Sequence, residues 1–383
     1  MRRSTERILT THVGALPGPT EAWTGDLSHE SLQAVVNDVV AKQREAGIDI
    51  INEGEWAKGG SFADYFVSRL SGFEPSESAS VGAILGRSAD WIEFADFYAK
   101  ALEAGTLFEQ TRSTAVGTVT ARPLGRVCRG PIEYIGKEAL ERQLTLMRTA
   151  LGDGQTADAF LTTTSPACIE FGRLNEYYRD DEDYVFAIAD AMRVEYETIA
   201  RAGFVVHVDD PWLAALWETL GVQKGLQEYK KHWQMRIAAL NHALAGVPED
   251  QLRFHVCWGS WHGPHAYDVP LADIVDLMLS IKSQAYLFEA ANARHEHEYR
   301  LWERVKLPEG KILAPGVVTH STPLIEHPEL VSQRIQRFAA IVGSENVMAS
   351  TDCGLGLRCH PQIAWAKLKA LAEGAALASQ VIY

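Results

Sequence analysis

The chain is poor in cysteine, with only five in 383 residues, too few for a disulfide framework in a chain of this length. It also lacks a surplus of positive charge. Against 50 acidic side chains stand 36 basic ones, leaving a formal net charge of −14. Binding to a phosphate backbone needs a basic face, so this balance disfavours a nucleic-acid partner. No apolar run is long enough to span a bilayer. Met1-Arg2-Arg3 is followed by polar Ser4, Thr5 and Glu6, so no signal peptide is read and a cytoplasmic location is expected. No Gly-rich dinucleotide fingerprint follows the first strand, where Gly14 stands alone, and no phosphate loop of the G-x-x-x-x-G-K type occurs. Repeats of solenoid type are absent too. What is present, 46% hydrophobic and 22% charged residues, is the profile of a globular protein with an ample core.

Strand-like segments alternate with amphipathic helical ones. Ile8 to Ala15 reads as a strand, a helix follows near Ser31 to Ala46, and Ile48 to Glu55 reads as the next strand. Residues 56–115 read as an irregular, partly helical excursion, with Gly59-Gly60, a Ser/Glu-rich stretch and an aromatic stretch from Trp91 to Leu107. Further strands are expected at Arg126–Ile132, Ala159–Ser165, Phe204–Asp210, Arg253–Trp258, Ala285–Glu289, Lys311–Val318 and Asn346–Asp352. The intervening helices are expected near Asp183–Ala202, Leu226–Leu244, Leu271–Ser283, Pro328–Ile341 and Ile363–Ser379. This alternation argues for a parallel sheet covered by helices. Nine strand candidates are one more than a closed barrel holds, and the surplus falls in the 126–165 region. Polar residues crowd the C-terminal ends of at least six strands, which favours a single (β/α)8 TIM barrel over residues 1–383, with the long insertion after its second strand.

Four of those strand-end residues have metal-ligand character: His255 and Cys257 in Phe254-His255-Val256-Cys257, Glu289, and Cys353 in Asp352-Cys353-Gly354. Residues two apart on a strand point to the same side, so His255 and Cys257 can grip one ion. One histidine, two cysteines and a carboxylate suit Zn2+, beside which a thiol becomes a nucleophile near neutral pH. The remaining cysteines, Cys128, Cys168 and Cys359, read as buried free thiols.

The chain resembles the catalytic barrel of cobalamin-independent methionine synthases, among the uroporphyrinogen-decarboxylase-like barrels. The stretches that carry the resemblance are Thr10–Pro17, Gly47–Glu55, Val208–Pro211, His255-Val256-Cys257, Ala314–Val317 and Asp352–Leu355. The family's zinc ligands fall on His255, Cys257, Glu289 and Cys353. The resemblance implies methyl transfer from a 5-methyltetrahydrofolate-type donor to homocysteine, activated as a zinc thiolate. It places the homocysteine ammonium on Glu55 and Asp209, and it matches a leaving-group proton donor to His320, which stands one position early. His12, His262 and His265 are rival donors. His12, Gly14 and Trp258 join the expected substrate-binding residues; the family's Ile-Gly-Ser turn reads Val13-Gly14-Ala15 here. Trp56, Trp212, Trp258 and Trp261 could wall a pocket or pack under loops, and His295-Glu296-His297-Glu298 reads as a solvated helix start.

The chain is also similar to epoxyalkane:coenzyme M transferases, in which a thiol held at zinc opens an epoxide. A sulfonate thiol requires a cation near the site, for which Arg129, Arg294 and Arg358 are candidates. A third reading is a methyltransferase partner of a separate corrinoid protein, and a fourth a zinc-binding barrel without turnover. The sequence leaves the oligomeric state open, a homo-oligomer included.

Overall fold

In a computed structural model the described residues are 1–19, 27–56, 58, 62–76, 87–107, 125–152, 158–356 and 358–383. Gly59-Gly60 and residues 77–80 of the Ser/Glu-rich stretch lie outside them.

Eight strands form one parallel sheet: β1 (Leu9–Thr10), β2 (Ile50–Ile51), β3 (Asp158–Thr164), β4 (Val205–Asp210), β5 (Leu252–Val256), β6 (Ala285–Phe288), β7 (Ile312–Val318) and β8 (Met348–Thr351). Neighbours pair in chain order from β2 through β8, and β8 returns to β1. Between β1 and β2 the Asp49 N–H donates to the Thr10 carbonyl at 3.2 Å, and Thr11 Oγ1 donates to the Ile50 carbonyl at 3.1 Å, so the sheet all but closes into a barrel. The covering helices are α1 (His29–Glu45), α2 (Lys137–Leu151), α3 (Asp181–Arg201), α4 (Leu226–Ala243), α5 (Leu271–Ser280), α6 (Pro328–Val342) and α7 (Pro361–Ile382). After β6 the covering element is a 3-10 helix, Glu296–Glu303, where the sequence reading expected a helix start.

The period-2 pattern of the strands builds the site. Leu252, Phe254 and Val256 of β5 belong to the large core between sheet and helices, as do Val206 and Val208 of β4 and Tyr286 and Phe288 of β6. Alternate residues belong to the barrel interior, where Phe160, Val205, Ala285, Leu287, Ile312 and Met348 form a second, smaller core. Following that inward set toward the C-terminal ends, β4 runs Val205, His207, Asp209; β5 runs Arg253, His255, Cys257; β6 runs Ala285, Leu287, Glu289; β8 runs Met348, Ser350, Asp352. The interior therefore grades from apolar at one end to ionisable at the other, the arrangement that puts chemistry at the C-terminal mouth of such barrels.

The surplus strand of the sequence reading lies outside the barrel. Gly125–Cys128 pairs antiparallel with Phe73–Ser76 and parallel with Leu174–Asn175 in a small second sheet. The excursion after β2 thus continues to the start of α2 at Lys137, beyond the expected end at residue 115. A buried ion pair fastens it. Arg69 Nη1 meets Glu195 Oε2 of α3 at 2.9 Å, and Tyr134 Oη and Thr163 Oγ1 donate to the same carboxylate at 2.7 and 2.9 Å. Among the described residues no helix is long and apolar enough to cross a membrane.

Candidate active site

Side-chain donor atoms of His255, Cys257 and Cys353 lie within 4.8 Å of one another, all buried. The two sulfurs are 3.7 Å apart, in contact without a covalent bond. His255 and Cys257 arrive through strand alternation on β5, and Cys353 through the bend that ends β8. Glu289 is beside this trio but belongs to a second group, with His320 and Asp352. The carboxylate of Glu289 is held on two sides: the Trp258 N–H, next to Cys257, donates to Oε1 at 3.3 Å, and Asn292 Nδ2 donates to Oε2.

The electrostatics ask for a cation. Burial, then the charge of Asp352, pushes the Glu289 carboxyl up. Asp352 is raised as well, chiefly by burial, although its Oδ1 accepts from the N–H groups of Ala290 and Ala291 at 2.7 and 2.9 Å. The paired thiols shift each other in opposite directions. Cys353 is lowered by the hydrogen bond from Cys257, against burial and with help from His255, and Cys257 is raised in turn. Two sulfurs, an imidazole and a crowded carboxylate pair fit a divalent ion of zinc's softness, which would relieve each of these strains at once.

Asp209 and His255 face each other across paired strands, being register partners. Asp209 Oδ1 lies 2.6 Å from His255 Nδ1, and His255 Nε2 lies 3.0 Å from the Asp352 carbonyl. Burial pulls the His255 pKa down, but the Asp209 charge and hydrogen bond outweigh it, taking it to about 9. With Nδ1–H committed to Asp209, the lone pair available to an ion is on Nε2, the carboxylate–histidine arrangement common behind metal ligands. The family resemblance implied a substrate ammonium on Asp209, and this orienting contact to His255 was not foreseen. Asp209→Asn is expected to weaken zinc about ten- to a hundredfold, the usual cost of losing such a partner. Competition against a chromogenic chelator measures it, and an unchanged zinc affinity would remove Asp209 from that role.

The other expected residues separate into two kinds. Glu55 is at the mouth, its backbone at φ 68°, and its carboxylate lies 3.5 Å from Lys58 Nζ. Gly14 is directly under it: a Cβ there would overlap Glu55 Oε1 and stand 2.9 Å from Thr162 Oγ1. Glycine at position 14 is thus the space through which Glu55 reaches the barrel axis. His12, by contrast, is a core residue. Its Nε2 meets Gln43 of α1 at 2.7 Å, its ring packs edge-on to Phe160, and burial lowers its pKa to about 3. Trp258 is fully buried, with its indole N–H on the Val269 carbonyl and its ring 4.4 Å from His295. Both are buried and held by these contacts in the structure.

His320 is buried near Glu289 and Asp352, and burial followed by the charge of Arg358 pushes its pKa well below the ordinary value, so it is neutral at pH 7. His265 behaves oppositely. Burial works against its charge, yet Asp268 overcomes it and raises the pKa to about 9. His295 is not solvated as the pattern suggested; it bridges Asp268 and Glu298 at 3.1 and 2.8 Å. Trp212 stacks on Phe171 and Trp261 on His265, so these two indoles pack against neighbouring rings. Cys359 is buried with its Sγ 3.5 Å from the His320 carbonyl. Of the three arginines considered, Arg129 pairs with exposed Glu74 and Glu176, Arg294 donates to the Ala266 carbonyl, and Arg358 alone reaches the ligand loops, donating from Nε to Ser260 Oγ at 2.6 Å.

Residues 114–376 match the family model described as the cobalamin-independent synthase catalytic domain. The chain belongs to this family. It is 24% identical over 381 residues to a methionine synthase of Saccharolobus solfataricus, covering 95% of this chain and 93% of the relative. It is 26% identical over 415 residues to 2-hydroxypropyl-CoM lyase of Xanthobacter autotrophicus, covering 96% and 94%. Among solved structures, a B12-independent methionine synthase from Shewanella in complex with selenomethionine superposes with a TM-score of 0.71 at 17% identity, covering 98% of each chain. That match bears out the TIM barrel.

Proposed function

We propose that this protein is a zinc-dependent transferase that alkylates a small thiol, and that its reaction is methyl transfer from a methyl-folate donor to homocysteine. The observation that carries the reading is the convergence of His255, Cys257 and Cys353 donor atoms within 4.8 Å at the barrel mouth, with Glu289 beside them. Family membership and the two full-length methionine-synthase and CoM-lyase relatives support a thiol as acceptor. Zinc held by this donor set would lower the pKa of a thiol placed next to it.

The chain's own groups do the rest. Asp209 fixes the His255 ring, and Asn292 and the Trp258 N–H aim Glu289. Two cysteine sulfurs keep the local charge negative, so an acceptor sulfur there retains its electron density. Glu55, projecting past Gly14, offers a negative charge to an ammonium group. The 26% identity to 2-hydroxypropyl-CoM lyase, together with Arg358 near the thiols, supports a second reading in which a sulfonate thiol opens an epoxide.

One assay series tests both. Zinc-loaded protein is incubated with homocysteine plus 5-methyltetrahydrofolate, and with coenzyme M plus epoxypropane. Methionine formation is the expected result. Thioether formation only in the second tube would replace the first reading with the second, and silence in both with zinc bound would reject thiol alkylation from these donors.

A further inference from the structure

We propose that Arg358 recognises the anionic head group, carboxylate or sulfonate, of the thiol this site accepts. The inference rests on the thiol-alkylation reading and adds the residue that selects the thiol.

The loop after Cys353 is laid flat on the Val13-Gly14-Ala15 turn. The Gly356 N–H donates to the Ala15 carbonyl at 2.9 Å. A Cβ on Gly354 would stand 2.9 Å from Ala15 Cβ, and one on Gly356 would stand 2.8 Å from the Leu16 carbonyl oxygen. Side chains at 354 and 356 would lift the loop away, so glycines bring it into contact. Residue 15 is alanine, so that turn offers no hydroxyl to an acid group. The loop that covers it ends instead at an arginine.

The guanidinium is then fixed from the other side. Arg358 Nε donates to Ser260 Oγ at 2.6 Å, and the Arg358 carbonyl lies 3.3 Å from His262 Nε2. Ser260 and His262 belong to the loop that follows Cys257. Arg358 therefore spans the two loops that carry the thiols, with its plane set by Ser260. Burial lowers its pKa, while the nearby Cys353, Cys257, Cys359 and Glu55 raise it, so the cation is within electrostatic reach of both sulfurs and of Glu55. A thiol seated at Cys257 and Cys353 would have both the Arg358 cation and the Glu55 carboxylate in its surroundings. A guanidinium plane suits both carboxylate and sulfonate through paired N–H donors. A thiol without an acid group would leave a largely buried cation with one counter-charge fewer, which is a strong source of discrimination.

The test titrates zinc-loaded protein with homocysteine, 2-mercaptoethanesulfonate and 2-mercaptoethanol by calorimetry, in the wild type, Arg358→Gln and Arg358→Lys. The wild type is expected to bind at least one of the acid thiols more tightly than 2-mercaptoethanol, and the preferred one identifies the head group. In Arg358→Gln that acid thiol should weaken about ten- to a hundredfold, the range for losing a charge-assisted contact, with 2-mercaptoethanol unchanged. Arg358→Lys should recover part of the preference, and zinc per chain should stay constant in all three. Equal weakening of acid and neutral thiols in both variants, or retention of the preference in Arg358→Gln, overturns the role of Arg358. If the wild type binds none of the three thiols, the alkylation reading itself falls, and this inference with it.

Discussion

Replacing Cys257 with serine is expected to strip the metal from the protein and abolish thiol alkylation. Zinc held by four protein donors in small folded sites is worth about 10–16 kcal/mol, so one donor carries about 2.5–4 kcal/mol, or about two to three decades of affinity. A serine hydroxyl at neutral pH is a poor substitute for a thiolate, and the 3.7 Å contact with Cys353 would go too. Metal analysis after dialysis against a mild chelator reads the outcome. Cys168→Ala is the matched control: that thiol is buried elsewhere, raised to about 12 by burial, and its loss should leave zinc at the wild-type level. A Cys257→Ser protein that retains full zinc would sink the proposed donor set.

Arg69→Met is expected to cost about 3–5 kcal/mol of folding stability, the range for leaving one charge of a buried pair behind. Glu195 would keep its hydrogen bonds from Tyr134 and Thr163 but lose its cation in a place that water does not reach. At about 2 cal/mol/K of unfolding entropy per residue, the midpoint should fall by roughly 5 °C. The double variant Arg69→Met with Glu195→Leu removes both charges and should recover a good part of the loss. If the single and double variants melt alike, the ion pair is not what holds the excursion to the barrel.

The barrel was legible in the sequence, as was the shared side of His255 and Cys257, because alternation carries direction. Once β5 is taken as a strand, His255 and Cys257 must share a side, and a polar end on six strands points to one mouth. What alternation cannot supply is register. The pairing of Asp209 with His255 exists because β4 and β5 align those two residues, and nothing within either strand says so. The surplus strand was traced to the 126–165 region, but its partners, Phe73–Ser76 and Leu174–Asn175, are pairings that no pattern within the segment gives. His295 looked exposed because its neighbours are charged; it is buried because Asp268 and Glu298 satisfy both of its nitrogens. His12 and Trp258 sit near the site in sequence, but proximity along a strand says nothing about which layer a side chain occupies.

Cys257 and Cys353 are 96 residues apart and follow strands that do not touch, β5 and β8. In the proposed site, metal capture therefore cannot precede closure of the ring. A growing polypeptide that has finished its fifth strand holds an incomplete claw, and the grip is completed only when the eighth docks between its first and seventh neighbours. Were zinc to bind here, the complete donor set would be available to it only late in folding, after the ring has closed.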